Sequence, residues 1–358
     1  MPESAPDALP GIGYQQRGSV NEELISSLDF APTVLKLAGL KTPEHFQGRA
    51  FLGNDLSPKR EYVFGARDRM DERYDIIRAV RDKRFRYIRN YEPFKPYYQF
   101  MNTPEQGATM REIRRVHAEG GLPAAAELFM ADRKPAEELY DLVADPHEVN
   151  NLAADPQFAS DLDRLRKTHL DWVVKTRDIG LIPESEIVRR EEVAENRYSI
   201  LLDVEQSLIE RIRNVANLAI GGGSDFTPLE KALSDKDSVV RYWAAIGAGN
   251  MPDRAGAAQM RLEELLNDEA PCVRNAAARA LLKLGQTDLA LDQLKRELAG
   301  EHQWARLRAA IVIDEAGEVA RPLVPELKVC LEDQPNKYIT RVANRTLNVL
   351  LGTNNQVK

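Results

Sequence analysis

An arginine, a helix of small residues and, eleven positions on, a glycine recur in the second half of this sequence, at Arg274 with Gly285, Arg306 with Gly317 and Arg341 with Gly352. Arg241 fits the same frame with Pro252 in the glycine's place, and successive arginines stand 33, 32 and 35 residues apart. A period of that length constrains the fold more than any composition does. Each unit predicts two helices. One is leucine-rich and ends in acid, as in Leu262-Glu263-Glu264-Leu265-Leu266-Asn267-Asp268. The other is alanine-rich and opens on the arginine, as in Arg274-Asn275-Ala276-Ala277-Ala278-Arg279. Glycine or proline then stops the unit. A single helical hairpin cannot bury its own apolar faces, so the units must stack, and small residues let neighbouring helices approach closely. The period predicts an all-α solenoid over residues 226–358, against an irregular helical bundle as the competing arrangement.

This pattern resembles the HEAT repeats, whose inter-helix turn reads Asp-x-x-x-x-Val-Arg. Asp268 to Val273-Arg274 and Asp235 to Val240-Arg241 match that turn, whereas the last two units match it poorly. Ahead of the repeats, Ser185 to Val215 reads as charged helix and leads to Gly221-Gly222-Gly223-Ser224-Asp225. No strand precedes these glycines and no Lys-Ser/Thr follows them, so they read as a linker or helix cap rather than a phosphate cradle. Residues 186–225 are therefore expected to form a helical linker.

Residues 1–185 have a different texture, with most of the prolines and alternating apolar patterns. Glu22 to Leu37 reads as helix, with Pro32 near its start and Gly39 at its stop. Tyr62 to Ala66, Asp75 to Asp82, Phe85 to Asn90 and Glu138 to Leu142 read as strands, the middle two joined across Lys83 as a hairpin. Leu162 to Thr176 carries apolar residues at helical spacing. The expected class is α/β in the α+β sense, a small antiparallel sheet with flanking helices followed by the all-α array.

The charge balance, 49 Lys and Arg against 56 Asp and Glu, argues against a general nucleic-acid binder. Its distribution is uneven: Lys59 to Arg115 holds 15 basic and 9 acidic residues in a chain of net charge −7. The apolar segment Leu24 to Leu40 is broken by Asp29 and Lys36, so no run approaches the ~18 residues of a spanning helix and no membrane partner is expected. The acidic, proline-bearing start Met1-Pro2-Glu3-Ser4-Ala5-Pro6-Asp7 lacks the features of an export signal. Cys272 and Cys330, 58 positions apart, read as core thiols. Histidines 45, 117, 147, 169 and 302 form no ligand pair and read as surface or turn residues.

Three further stretches resemble one known family. They are Leu28-Asp29-Phe30-Ala31-Pro32-Thr33-Val34-Leu35-Lys36-Leu37-Ala38-Gly39-Leu40, Gln47-Gly48-Arg49-Ala50-Phe51-Leu52-Gly53, and Glu138-Leu139-Tyr140-Asp141-Leu142 leading to Asp145-Pro146-His147-Glu148-Val149-Asn150-Asn151-Leu152-Ala153. In order and spacing they are similar to the C-terminal third of the sulfatases, over residues 11 to about 185. Arg67-Asp68-Arg69-Met70-Asp71-Glu72-Arg73-Tyr74-Asp75 and Tyr87-Ile88-Arg89-Asn90-Tyr91 resemble the bacterial branch near the heparan N-sulfatases.

The resemblance implies hydrolysis of sulfate esters or sulfamates of carbohydrates. That chemistry uses a formylglycine made from a C/S-x-P-S-R motif, a calcium ion, and Lys and His donors around the sulfate. Cys272 is followed by Val-Arg-Asn, Cys330 by Leu-Glu-Asp, and Ser4-Ala5-Pro6 by Asp7-Ala8, so none carries the motif. No Asp-Asp pair or oxygen-rich calcium loop stands out. Within this sequence no catalytic residue, metal ligand or cofactor is expected. The resemblance puts calcium and formylglycine in the N-terminal two thirds of a sulfatase, and this sequence alone is expected to be inactive.

What is left is a basic surface suited to an anionic sugar, since arginine offers a planar, permanently charged donor fork for sulfate. Arg67, Arg69 and Arg78 are the candidate substrate contacts, with Asp71 as an orienting or hydroxyl-binding partner. The bland alternative is the solvated face of a half-buried hairpin, as in Ile77-Arg78-Ala79-Val80-Arg81. Two functions are expected in turn: a sulfatase-family polypeptide acting on sulfated carbohydrate when complete, or a non-catalytic sulfatase remnant whose solenoid binds a protein partner. Complete members of the family are commonly exported, so the resemblance implies a periplasmic or extracellular location.

Overall fold

The computed structural model describes residues 20–357 apart from 21, 54, 55, 222 and 224. The sequence motif at Ser4-Ala5-Pro6 and parts of the glycine run thus lie outside the described residues. Two compact units share the chain. One takes the residues up to Ala66, Arg78–Arg89 and Glu137–His169; the other takes Arg67–Ile77, Asn90–Ala136 and Leu170 onward. Four strands, β1 (Val63–Met70), β2 (Arg73–Arg81), β3 (Phe85–Asn90) and β4 (Glu137–Asp141), form one sheet in the order β1-β2-β3-β4. The pairing of β3 with β4 is antiparallel, with Phe85 opposite Asp141 and Arg89 opposite Glu137.

In the first unit, α1 (Phe30–Leu37) is entered through a capping box in which the Ser26 side chain accepts from Leu28 N and Asp29 accepts from Ser26 N. Asp29 does more than cap. Its carboxylate also accepts from Arg49 N at 2.7 Å and from the Arg60 guanidinium, so it ties the following segment back to the helix. Burial raises this carboxyl, but the bonds from Arg60, Arg49 and Ser26 outweigh it and hold Asp29 below its ordinary range. Gly48 is required for the same crossing, because a Cβ there would lie 1.9 Å from the Leu28 carbonyl oxygen.

The stretch from Glu137 to Ala153 is built in the same way. Asn151 Oδ1 accepts from Leu139 N and Ala153 N, both at 3.0 Å, and Asp145 accepts from Val149 N and Asn150 N. Val80, Phe85, Tyr87, Leu139, Leu162 and Leu165 form the core of this unit, covered by α2 (Ala159–Lys175). Of the histidines expected at surfaces or turns, His147 is exposed, but His169 is fully buried with its ring 6.0 Å from that of Tyr87. Helical spacing places it on the apolar face of α2, so the surface expectation fails for His169.

The second unit contains the repeats. Past α3 (Glu184–Glu191) and α4 (Gln206–Ala219), the repeat helices are α5 (Ser238–Asn250), α6 (Pro271–Lys283), α7 (Thr287–Ala299), α8 (Gln303–Ala316) and α9 (Lys337–Leu351). The charged segment expected as one helix is thus two, separated by the 3-10 turn Arg197–Leu201 that Asn196 caps. The repeated arginines reach forward. Arg241 grips Asp268 through two bonds of 2.7 and 2.9 Å, and Arg274 donates to Glu297 at 2.5 Å. Each also returns a bond to the turn before its own helix, from Arg241 to the Asp235 carbonyl and from Arg274 to the Asp268 carbonyl. The Asp-to-Val-Arg spacing therefore staples each turn to its helix and, at Arg241, to the next unit. Gly285, Gly317 and Gly352 take positive φ of 81, 58 and 65° where their helices end. Helix α5 is buried on nearly every side, as its apolar and small residues require. Cys272 and Cys330 are buried free thiols.

Candidate functional site

The turn between β1 and β2 sets the site. Asp71 adopts φ 47°, the left-handed conformation that a short polar side chain tolerates, and reverses the chain within two residues. Alternation along β1 then puts Arg67 and Arg69 on one face. Arg69 donates from Nε to Glu184 at 2.6 Å and from Nη1 to the Asp71 carbonyl at 2.6 Å. Its guanidinium lies 4.7 Å from the ring centre of Trp304 and 5.2 Å from that of Tyr338. Glu184 also accepts from the Tyr74 hydroxyl at 2.9 Å. Burial works against the charge on Arg69, yet the Glu184 carboxylate prevails and raises its pKa further. Burial first, and then the same carboxylate, push the Tyr74 phenol well above its ordinary value.

Arg67 stands 3.8 Å from Asp75, a carboxylate that also pairs with Lys134 at 2.8 Å. Asp71 meets the Tyr338 hydroxyl at 3.4 Å. The turn therefore gathers Arg67, Arg69 and Asp71 in the second unit. Arg78 belongs to the first unit, where it is fully buried. A cavity of about 250 Å³ opens beside Arg69, lined among others by Asp68, Tyr74, Glu184, Trp304 and Arg308. A permanently charged guanidinium at a cavity wall is chemistry that suits an anion.

Glu184, Trp304 and Tyr338 were invisible as site residues in the sequence. They lie 115, 235 and 269 positions from Arg69, and no motif joins them to it. Among the described residues no three His, Cys, Asp or Glu side chains cluster to hold a metal ion. Cys272 is buried, which pushes its thiol well above the usual range and makes it inert.

Known proteins match the two parts of the chain separately. The HEAT repeats, as a family, match residues 226–314. An ulvan-active sulfatase of Formosa agariphila is 42% identical over 186 residues, 52% of this chain and 31% of that protein. A second ulvan-active sulfatase of the same organism is 34% identical over 169 residues, 45% of this chain and 31% of its own length. The N-sulphoglucosamine sulphohydrolase of Homo sapiens is 29% identical over 175 residues, 45% of this chain and 34% of that protein. The chain spans about a third of the length of these curated relatives. It thus joins a stretch similar to part of these sulfatases to a stretch that the HEAT repeats match.

Proposed function

We propose that this chain supplies the substrate-side portion of a sulfatase, an enzyme that hydrolyses sulfate esters or sulfamates of carbohydrates. The observation that carries the reading is the 42% identity over 186 residues to an ulvan-active sulfatase. Arg69 is the residue we assign to the sulfated sugar, with Arg67 beside it. Two aromatic rings and Glu184 fix the Arg69 guanidinium before any ligand arrives, so little side-chain entropy remains to be lost on binding. Asp71, held at the turn, is assigned to a sugar hydroxyl. Calcium and formylglycine belong to the chemistry of the family, but the residues of this chain fit neither: among the described residues no three His, Cys, Asp or Glu side chains group so as to hold a metal ion, and neither cysteine stands in the required motif. No catalytic step is therefore derived through them. The proposal extends to an exported protein, as the family's complete members commonly are.

A chimera tests the reading. The matched segment of the Formosa agariphila ulvan-active sulfatase is replaced by the corresponding residues of this chain, and desulfation of a sulfated polysaccharide is assayed. Retained turnover is expected, with Arg67→Ala and Arg69→Ala raising KM in that background. A chimera that melts cooperatively but has lost all turnover would overturn the proposal.

A further inference from the structure

A second, larger cavity of about 640 Å³ lies within the second unit, between the segment Asn90–Ala136 and helices α5, α6, α8 and α9. Its lining holds seven Lys and Arg side chains and three carboxylates. Part of that excess is neutralised: Arg73 donates to Asp314 at 2.8 Å, Arg279 to Glu315 at 3.3 Å, and Lys134 pairs with Asp75 behind the wall. Lys95 is paired with Glu92 at 2.9 Å, but Arg308 draws on the same carboxylate at 3.6 Å. At the rim, Arg133 and Lys283 are exposed, and neither has an ion-pair partner among the described residues. The cavity thus keeps an uncompensated positive charge, and nearby cations strengthen one another's pull on an entering anion.

Three buried polar atoms of the lining residues lack hydrogen-bond partners, Arg345 Nε and two that lie deeper. Arg279, with only 5% of its side chain exposed, has no hydrogen-bond acceptor for Nη1. Gly249 leaves the room for this group, since a Cβ there would stand 2.8 Å from Nη1. Asn250 donates from Nδ2 to the Ala219 carbonyl at 2.7 Å, which fixes the amide and leaves Oδ1 buried with no donor. A buried donor and a buried acceptor left open in one cavity are costly unless a ligand or water meets both. The ligand that does so carries an anionic oxygen and a hydroxyl. The aromatic faces nearby are taken, since Arg279 lies 4.1 Å over Phe94 and Arg345 lies 5.4 Å over Phe100, so a stacked base is disfavoured. A volume of about 640 Å³ is far larger than a bare oxyanion needs.

We propose that this cavity is a binding site for an acidic saccharide, a sugar bearing sulfate or carboxylate, with Arg279 on the anion, Asn250 on a hydroxyl and Arg133 and Lys283 at the entrance. The site is separate from Arg69 and does not depend on the sulfatase reading. Calorimetric titration of the full chain at low salt with a sulfated disaccharide tests it. Saturable binding is expected, weaker at high salt and at least about tenfold weaker in the Arg133→Glu/Lys283→Glu double variant, whose exposed substitutions leave the fold intact. Arg279→Gln should weaken it further, whereas Lys41→Ala, an exposed change that lines neither cavity, should leave it unchanged. Absence of binding, or equal affinity in the double variant, would overturn the site. Equal affinity for inorganic sulfate and the disaccharide would overturn the saccharide assignment. Since binding rather than turnover is read, failure here and failure of the chimera are distinguishable.

Discussion

Arg69 shows how one side chain can be read two ways. From sequence it is a cationic residue in a basic stretch, and the structure adds a carboxylate at 2.6 Å and two aromatic rings. With 24% of its side chain exposed and 12% of that of Glu184, the pair is neither a loose surface contact nor a fully buried one. Removing the arginine leaves Glu184 with the Tyr74 hydroxyl alone. Arg69→Ala is therefore expected to destabilise the protein by about 2 kcal/mol, between a neutral hydrogen bond and a broken buried ion pair. Arg67, more exposed and 3.8 Å from its carboxylate, should cost within about 0.5 kcal/mol on the same change. Urea unfolding midpoints measure both. A midpoint unmoved by Arg69→Ala would mean that Glu184 is solvated and the ring contacts contribute nothing.

Among the elements, helix α5 is the most demanding, because it is buried almost all round and touches its neighbours through glycine. A Cβ at Gly247 would stand 2.7 Å from Leu229 Cδ1 and 3.1 Å from Ala219 Cα. Alanine in a helix interior is favoured over glycine by about 1 kcal/mol, but overpacking a tight core costs about 1 to 3 kcal/mol. The Leu229 methyl can rotate away, whereas the Ala219 backbone cannot, so Gly247→Ala should be net destabilising by about 1 kcal/mol; a raised melting temperature would contradict this. Helix α3 is anchored to α5 by Glu186, which accepts from Arg189, Arg190 and, at 2.7 Å, from Ser238 Oγ. Burial raises this carboxyl, but the three donors outweigh it and set the folded pKa below the ordinary 4.5. A carboxyl depressed in the folded state stabilises fully above its unfolded value and loses that contribution as pH falls through the folded one. Stability should thus drop below about pH 4.5, and Glu186→Gln should flatten the drop. Parallel declines in the two proteins would assign the acid sensitivity elsewhere. Most of these elements were legible beforehand. Phe85 to Asn90 reads as a strand from alternation and is one, and the arginine-to-glycine frame marks the repeat helices, since both signals are local. His169 and the break at Arg197–Leu201 were not legible: burial of one imidazole and interruption of a charged helix depend on what packs across from them.

Across the whole chain, the candidate site was only half legible for the same reason. Charge excess marked Arg67 and Arg69, but no spacing announces that Trp304 and Tyr338, far along the sequence, close on the same turn. This long-range closure makes the repeats depend on what precedes them. Trp243, fully buried, donates to the Leu181 carbonyl at 2.8 Å and lies 6.0 Å from the Tyr91 ring. Arg73 holds Asp314, Glu72 stands 3.6 Å from Arg341, and Glu92 stands 3.6 Å from Arg308. A fragment of residues 226–358 keeps the repeated pattern but loses all of these partners. Its freed charges would be rehydrated, so their net cost is modest, whereas exposing Trp243 and its surroundings forfeits about 2 kcal/mol for each large apolar side chain uncovered. The fragment is expected to stay helical by circular dichroism, to unfold at a lower urea concentration than the full chain, and to bind a hydrophobic dye. Restoring residues 170–225 returns the Leu181 acceptor and helices α3 and α4, and should recover part of the midpoint and suppress the dye signal. Were the 226–358 fragment as resistant to urea as the full chain, with no dye bound, the repeats would be self-sufficient and the contacts from Glu72, Arg73, Tyr91 and Glu92 would be incidental to their stability.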